Sequence, residues 1–495
     1  MSEQLFVAGD FSGIQEYVLE VSAAGGGQAR RLRARSFYVQ LAAEVAVWRI
    51  LQALGADGSA VPMSAGGHFL LCLPAGHGGP TALPVIREEL SRALWNETRG
   101  QLSLSLCWGS VLEEVLRARD RAKRRPWAHV VTANGGWNPE AMSLPQIGEP
   151  CEICRRRSAE RTLQHDAEKL RVCARCHDDT EIGRRLPQHS LVSLGGAGQF
   201  TVLGCGVWLG TAPPDAVRVP RPLHRHIPTD EDGQALTFER IAERAAGDDL
   251  LAVMKADVDD TGARLSALRC EDPSLAKTRR FSDDLDSFFS IRIQEEMSSV
   301  GKAWNDIYTI YSGGDDLLLV GPWNVVIDFA GWLRDAFQAG PGGRQGLGLT
   351  AGIALVPWRL PIRHAVEAAD RLLERAKAAP NKNRCAALGS VWDWGRHAAL
   401  LAQGKQLKEW IDSRVLPRTL AHRLLSILTR AALNRASLWA YQLARNLNTQ
   451  RTAPVRQWAD QVLNEIDRPG GVVLAEAAVA LRYALIATRE RRDRQ

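Results

Sequence analysis

The chain has 495 residues, enough for two to four domains, and its 45% hydrophobic and 24% charged residues are those of an ordinary globular protein. A net charge of +6 and a pI of 8.9 permit contact with nucleic acid without demonstrating it, and no apolar run is long enough to span a membrane. Nine cysteines is an odd number, and Met1-Ser-Glu-Gln lacks the basic and apolar regions of a signal peptide, which argues against a secreted disulfide scaffold and for a cytoplasmic protein.

Residues 5–10, Leu-Phe-Val-Ala-Gly-Asp10, read as a short strand, followed by Phe11-Ser-Gly13-Ile-Gln15. Arg30-Arg-Leu-Arg33-Ala-Arg35-Ser36-Phe37 opens a helix to about residue 54, with Val39, Ala42, Ala43, Ala46, Val47 and Ile50 at helical spacing. A turn, Ser64-Ala-Gly66-Gly67-His68-Phe69, precedes a helix near 83–96 and a strand near 102–108. Residues 112–125 read as a helix with a basic end, Arg117, Arg119, Arg121, Lys123, Arg124 and Arg125. A solvated face is the simple reading of that end and a phosphate contact the sharper one.

Cys151-Glu-Ile-Cys154 and Cys173-Ala-Arg-Cys176 are two knuckles separated by eighteen residues, the spacing of a zinc-ribbon site. Four thiolates close a tetrahedral shell with no open position, so the expected role of Zn²⁺ is structural. Arg155, Arg156, Arg157, Arg161 and Arg171 add a possible phosphate-facing surface, and prolines 213, 214, 220, 222 and 228 mark a loop-rich connection.

The second half opens with an apolar strand ending in acid, Leu250-Leu-Ala-Val-Met-Lys-Ala-Asp257-Val-Asp259-Asp260-Thr-Gly262. A long helix is expected at about 275–299 and a strand at 304–310, followed by Tyr311-Ser-Gly-Gly-Asp-Asp-Leu-Leu-Leu-Val320. Glycines between two apolar runs predict a hairpin with Asp315 and Asp316 at its tip and room for a close ligand beside Gly313 and Gly314. Two acidic clusters at the ends of neighbouring strands suit Mg²⁺, which takes a few carboxylates and substrate phosphates, and a pair of such ions serves phosphoryl or nucleotidyl transfer. Helices at 325–339 and 362–379 and strands at 347–356 and 384–391 complete this half, and residues from about 403 onward read as a helical bundle.

The two halves echo each other. Gly9-Asp10…Gly13 matches Ala256-Asp257…Gly262, and the Gly66-Gly67 turn matches the Gly313-Gly314 hairpin, with His68-Phe69 read as standing where the second copy has two aspartates. The expected fold is therefore α+β, with two ferredoxin-like βαββαβ units. The expected boundaries are 1–111 for the first unit, 112–247 for a zinc-binding and connecting domain, 248–398 for the second unit and 399–495 for C-terminal helices.

In this order, the segments Gly9-Asp10-Phe-Ser-Gly13-Ile-Gln15, Leu32-Arg33-Ala-Arg35-Ser36-Phe37, Gly66-Gly67, the four cysteines, Asp257-Val-Asp259-Asp260-Thr-Gly262, Ser312-Gly-Gly-Asp-Asp316 and Ala376-Lys377…Lys382-Asn383 span nearly the whole chain. Together they resemble the large polymerase-cyclase subunit of type III CRISPR effector complexes. The resemblance implies two palm domains and an antiviral enzyme that polymerises ATP and closes it into cyclic oligoadenylates when guide and target RNA are bound with the other subunits. A 3′-hydroxyl would attack an α-phosphate and pyrophosphate would leave. Asp257, Asp315 and Asp316 would hold Mg²⁺ or Mn²⁺, with Asp259 a weaker ligand. Ser312, Gly313 and Gly314 would lie against the nucleotide, and Lys382 would contact phosphate. The first palm, without hairpin carboxylates, would bind a nucleotide or close the pocket. Many members carry an N-terminal HD nuclease domain; here the first palm begins within ten residues of Met1, so that domain and DNA cleavage are not expected. Where the family usually shows Asp-x-Asp-Asn-Leu-Gly, this chain has Asp257-Val-Asp-Asp260-Thr-Gly262. Competing readings are a stand-alone nucleotide cyclase and a catalytically silent RNA-binding scaffold.

Overall fold

A computed structural model of the chain describes residues 4–20, 27–74, 79–132, 136–143, 147–165, 168–196, 198–210, 219–222, 226–299, 303–429, 434–466 and 472–489. Strand β1 (Gln4–Ser12) shows the alternation that sets the first sheet: Val7 and Phe11 enter one core, while Phe6 and Ala8 enter another on the opposite face. Helices α1 (Ile14–Leu19) and α2 (Gln28–Leu54), strands β2 (Met63–Ala65) and β3 (His68–Pro74), helix α3 (Gly79–Thr98) and strand β4 (Ser103–Gly109) follow, and the sheet order is β2-β3-β1-β4. Helix α4 (Leu112–Ala122) packs Val115 and Leu116 onto the Phe6–Ala8 face.

Between the halves lie a two-stranded ribbon, β5 (Arg161–His165) and β6 (Glu168–Val172), and a helix, Ala174–Arg185. Strands β7 (Leu191–Leu194), β8 (Phe200–Val202), β9 (Cys205–Gly210) and β10 (Val219–Pro222) then form a sheet in the order β10-β7-β9-β8.

The second large sheet repeats the first. Strands β11 (Leu250–Val258), β12 (Tyr308–Gly313), β13 (Asp316–Pro322) and β14 (Leu349–Pro357) lie in the order β12-β13-β11-β14, extended by β15 (Arg384–Ala387) and β16 (Ser390–Asp393). Leu251, Val253, Leu318 and Val320 face the core shared with the first palm, while Ala252, Met254, Leu317 and Leu319 face a core of their own with Phe281, Phe289 and Trp323. Both palms therefore bury one continuous apolar surface against each other.

Some elements differ from the sequence expectation. The strand expected at 304–310 begins at Tyr308, because Ala303–Asp306 forms a 3₁₀ turn. The long helix at 276–298 changes to π-type winding over Ser287–Arg292, where Phe288 and Phe289 are both turned into the core. The strand expected at 384–391 is the hairpin β15–β16, and the helix after it, Trp394–Asp412, runs through residue 399, so no loop marks the expected boundary there. Helices Arg418–Thr429, Arg435–Asn446, Ala453–Leu463 and Val472–Ala487 form the C-terminal bundle around Trp439 and Leu424. Among the described residues, no helix is long and apolar enough to cross a membrane.

Candidate active site

The register of the second sheet pairs Asp257 on β11 with Asp316 on β13, and Gly313 on β12 with Asp316. The hairpin turn is Gly314–Asp315; Gly314 has φ +65°, a conformation that glycine adopts without strain. Asp315 is thus at the tip, and Asp316 is the first residue of the returning strand, on the same face as Leu318 and Val320.

The first sheet has the same register, with Asp10 opposite His68 and Ala65 opposite His68. The match extends to single hydrogen bonds. Phe11 N donates to Gly67 O at 2.9 Å, and Val258 N donates to Asp315 O at 3.0 Å. Gly67-His68, and not His68-Phe69, therefore stands where the second palm has Asp315-Asp316; the motif comparison was one residue out of step, because Phe69 turns into the core as Leu317 does.

Asp257 and Asp316 share a hydrogen bond. Burial, then the hydrogen bond and charge of Asp257, push the Asp316 carboxyl up to about 8. Lys377 Nζ lies 2.5 Å from Asp257 Oδ2, at the end of helix Ile362–Lys377, which follows the fourth strand of this palm. In the first palm, Lys123 at the end of α4 reaches Asp10 in the equivalent way, joined by His68 Nδ1 at 2.7 Å and Arg119 at 3.9 Å. Asp10 is fully buried, so cations surround it where the second palm has a second carboxylate. The basic end of α4 is thus partly turned inward. Lys255, beside Asp257 on the same strand face, pairs with Asp370.

The remaining expected residues lie around this pair. The Asp315 carboxyl turns toward Thr261 and is raised by burial and then by the charge of Asp257. The two oxygens of Asp259 accept from Thr350 Oγ1 at 2.7 and 2.9 Å, and one also accepts from Asn383 N at 2.9 Å. Lys382 is at the rim, paired with Asp260 at 2.7 Å, in a run where Asn381, Lys382 and Asn383 all have positive φ. Ser312 Oγ donates to Phe289 O at 2.6 Å, while an added Cβ at Gly313 would meet nothing closer than Ser290 Oγ at 3.7 Å. Sequence reasoning named Lys382, Lys377 and Lys123 but did not see that the last two each reach the first-strand aspartate; the signal was a lysine closing the helix after the fourth strand in both halves.

Two cavities open where the palms meet. The larger, about 410 Å³, is lined by α1 and the β1 end, including Asp10, Gln15 and Lys123, and by Lys255, Tyr311 and Asp316. The smaller, about 280 Å³, is lined by His68, Arg119, Thr261, Arg269, Phe281 and Asp315. The adjacent hairpin carboxylates thus face different cavities, and His68 lines both.

Among the described residues, only Cys151, Cys154, Cys173 and Cys176 gather three or more metal-donor side chains within 4.8 Å of one another. All but the part-exposed Cys154 are buried, Cys154 and Cys173 Sγ are 3.8 Å apart, and Cys176 N donates to Cys173 Sγ at 3.4 Å. This donor set fits Zn²⁺. The carboxylate pair fits a divalent cation in a different way: two half-buried carboxyls face each other across the sheet, and a cation between them would relieve the pressure that raises Asp316. Four of the five arginines around the cysteines are engaged within the chain, although Arg156, Arg161 and Arg171 stay exposed. Arg156 bonds Glu20, Arg157 donates to Asn96 O and Glu97 O, Arg161 pairs with Asp178, and Arg171 pairs with Glu149.

Residues 250–386 match the family model for the second palm domain of Cas10/Cmr2, and residues 3–133 match that for domain B of the Csm1 subunit. A protein of Thermococcus onnurineus is 28% identical over 478 residues, covering 85% of this chain and 59% of that protein. One of Mycobacterium tuberculosis is 25% identical over 526 residues, covering 92% and 63%. Both are named CRISPR system single-strand-specific deoxyribonuclease Cas10/Csm1 of subtype III-A, and this chain spans about three fifths of their length. The fold is that of a Csm1–Csm4 cassette crystallised with one ATP, at TM-score 0.72 and 21% identity, covering 98% of this chain and 70% of that one. The same cassette crystallised with cA3 gives TM-score 0.72 with the same coverage. The family models fall on the two sheets whose hairpins meet at Asp316 and His68, the relatives extend across the cysteine module between them, and the chain belongs to the Cas10/Csm1 family.

Proposed function

We propose that this chain is the cyclic oligoadenylate synthetase subunit of an RNA-guided type III CRISPR complex, joining ATP units and releasing pyrophosphate when guide and target RNA are bound. The observation that carries this reading is Asp316, paired with Asp257 across the sheet, lining a cavity walled by both palms, with Asp315 lining a second cavity one residue away. Two adjoining cavities suit a reaction between two nucleotides. The names of the related cassettes, solved with ATP and with cA3, support the substrate and product class. The deoxyribonuclease activity in the relatives' names stays with those proteins.

In this reading Asp257 and Asp316 hold Mg²⁺ or Mn²⁺, with Asp315 contributing from the hairpin tip. Bound divalent cations would neutralise charge on the reacting phosphate and the departing pyrophosphate. Lys377 holds Asp257 in place through their ion pair. Ser312, Gly313 and Gly314 lie against the nucleotide, and the absence of a side chain at Gly313 leaves its Cβ side without a close neighbour. Lys382 exchanges Asp260 for phosphate, and Asp259 holds the Asn381–Asn383 loop that carries it. In the first palm, Arg119 and Lys123 place positive charge along the cavities in keeping with a triphosphate. Zn²⁺ on the four cysteines is structural.

The test uses ATP labelled at the α-phosphate with Mg²⁺ or Mn²⁺, the purified chain, and the complex assembled with guide and target RNA, with products resolved by mass. Cyclic adenylates should form in the RNA-bound complex and fall by at least about a hundredfold in Asp257→Asn and in Asp315→Ala/Asp316→Ala. Product that persists in these variants refutes the site. No product from the assembled wild-type complex leaves the scaffold reading standing.

A further inference from the structure

We propose that the four-cysteine module sets the position of α1, and through it the nucleotide affinity of the larger cavity, with Arg175 and Arg156 as the positioning residues. The proposal rests on the reading of that cavity as a nucleotide site.

Helix α1 has only six residues and no side-chain N-cap, so it cannot hold its own position. Every residue of it except Tyr17 lines the cavity: Ile14, Gln15, Glu16, Val18 and Leu19. Tyr17 is buried away from the cavity and gripped by the cysteine module. Arg175 Nη2 donates to the Tyr17 hydroxyl at 2.6 Å, and its guanidinium lies over the Tyr38 ring at 4.2 Å. Arg35 Nη1 donates to Tyr17 O at 3.0 Å and Glu20 O at 2.7 Å, closing the C-terminal end of α1. Arg156 Nη2 donates to the Glu20 carboxylate at 2.7 and 2.9 Å.

The origin of these arms gives the proposal its direction. Arg175 lies inside the knuckle Cys173-Ala174-Arg175-Cys176, and Arg156 follows Cys154 by two residues. Each knuckle therefore sends one arginine to α1. Asp179, 1% exposed and one turn along the same helix, forms an ion pair with Arg175 at 2.9 Å and accepts a hydrogen bond from Arg35 Nε at 3.1 Å. The close seating of that helix on α2 is fixed by Gly183, where an added Cβ would lie 1.9 Å from Arg30 O. A metal that orders both knuckles fixes the backbone from which both arginines reach. A cluster that only staples its own loops has no reason to aim an arginine from each knuckle at the same short helix.

The test measures binding of a non-hydrolysable ATP analogue by calorimetry, zinc content by atomic absorption, and hydrogen exchange of residues 14–19. The proteins are the full-length wild type, Arg175→Ala, Arg156→Ala and a control, Arg184→Ala, whose partner Glu181 is on its own helix. Arg175→Ala and Arg156→Ala should keep their zinc, weaken the analogue by about tenfold and raise exchange in α1, while the control matches wild type. Tyr17→Phe, which removes only the hydroxyl, should reproduce the Arg175→Ala effect and add nothing to it. Zinc-loaded Arg175→Ala with wild-type affinity and exchange overturns the proposal. If Arg175→Ala does not fold, the exposed Arg156 decides alone, and wild-type affinity in Arg156→Ala overturns it. Failure of the wild type to bind the analogue overturns the nucleotide reading itself and the proposal with it.

Discussion

At the scale of single residues, what marks the site is the pressure that burial and Asp257 put on one carboxyl. Asp316 is pushed from an ordinary 3.8 to about 8, first by burial and then by Asp257. Between those values the folded chain holds a proton that the unfolded chain has released. This contribution to stability is fully present below the ordinary carboxylate value and is lost as pH rises through about 8. In Mg²⁺-free buffer, the melting temperature of the wild type should therefore fall as pH is raised toward and past that value, and Asp316→Asn, which keeps a hydrogen bond to Asp257, should flatten the profile. Parallel profiles in thermal denaturation would show that Asp316 titrates normally. That two carboxylates stand at a hairpin was legible in the sequence, since glycines before two acids at a strand end mark a turn. Their division between two cavities was not, because it depends on which face of β13 each residue takes and on what the other palm places opposite.

At the scale of elements, hairpins and helix ends carry the argument. The Gly66-Gly67 and Gly314-Asp315 turns are superposable in register, and the lysines closing the helices after the fourth strands both reach the aspartate of the first strand. Repetition of strand, helix and hairpin was readable as duplication, because period and turn chemistry are local. The one-residue slip in matching the turns arose because glycine runs carry no phase, whereas the hydrogen bonds of Phe11 and Val258 do. The partners of the arginines around the cysteines were hidden for a related reason. A basic run has no direction until its partners are placed, and Arg156 and Arg157 turn back onto Glu20 and the end of α3. The buried element contact through Asp179 gives a stability prediction. Asp179→Asn leaves Arg35 and Arg175 facing each other in the interior without a counter-charge and should cost about 3–5 kcal/mol. Denaturant unfolding should show it, and a loss below about 1 kcal/mol, the scale of an exposed pair, would mean that water reaches the network.

At the scale of the molecule, composition and spacing were enough to name the parts, two palms, a cysteine module and terminal helices, but not how they touch. The contacts between them rest on pairs such as Arg33, which donates to Gly183 O at 2.7 Å and lies over the Tyr308 ring at 5.4 Å, tying the cysteine module to the second palm through a helix of the first. Sequence separation hides such pairs. The shared core of the two palms has one more consequence. Two separate chains that built a site between them would part on dilution, and their activity would follow the square of concentration at the low end. Here both walls of the cavities belong to one covalent chain, so the partner wall is always present at fixed effective concentration. Nucleotide affinity per chain should stay constant over roughly a thousandfold dilution, as read by fluorescence titration, whereas a fall would show that a second copy completes the site. Fusion also removes the symmetry that identical chains impose: one half is free to exchange carboxylates for His68 while the other keeps them, a division of labour that no pair of identical subunits can adopt.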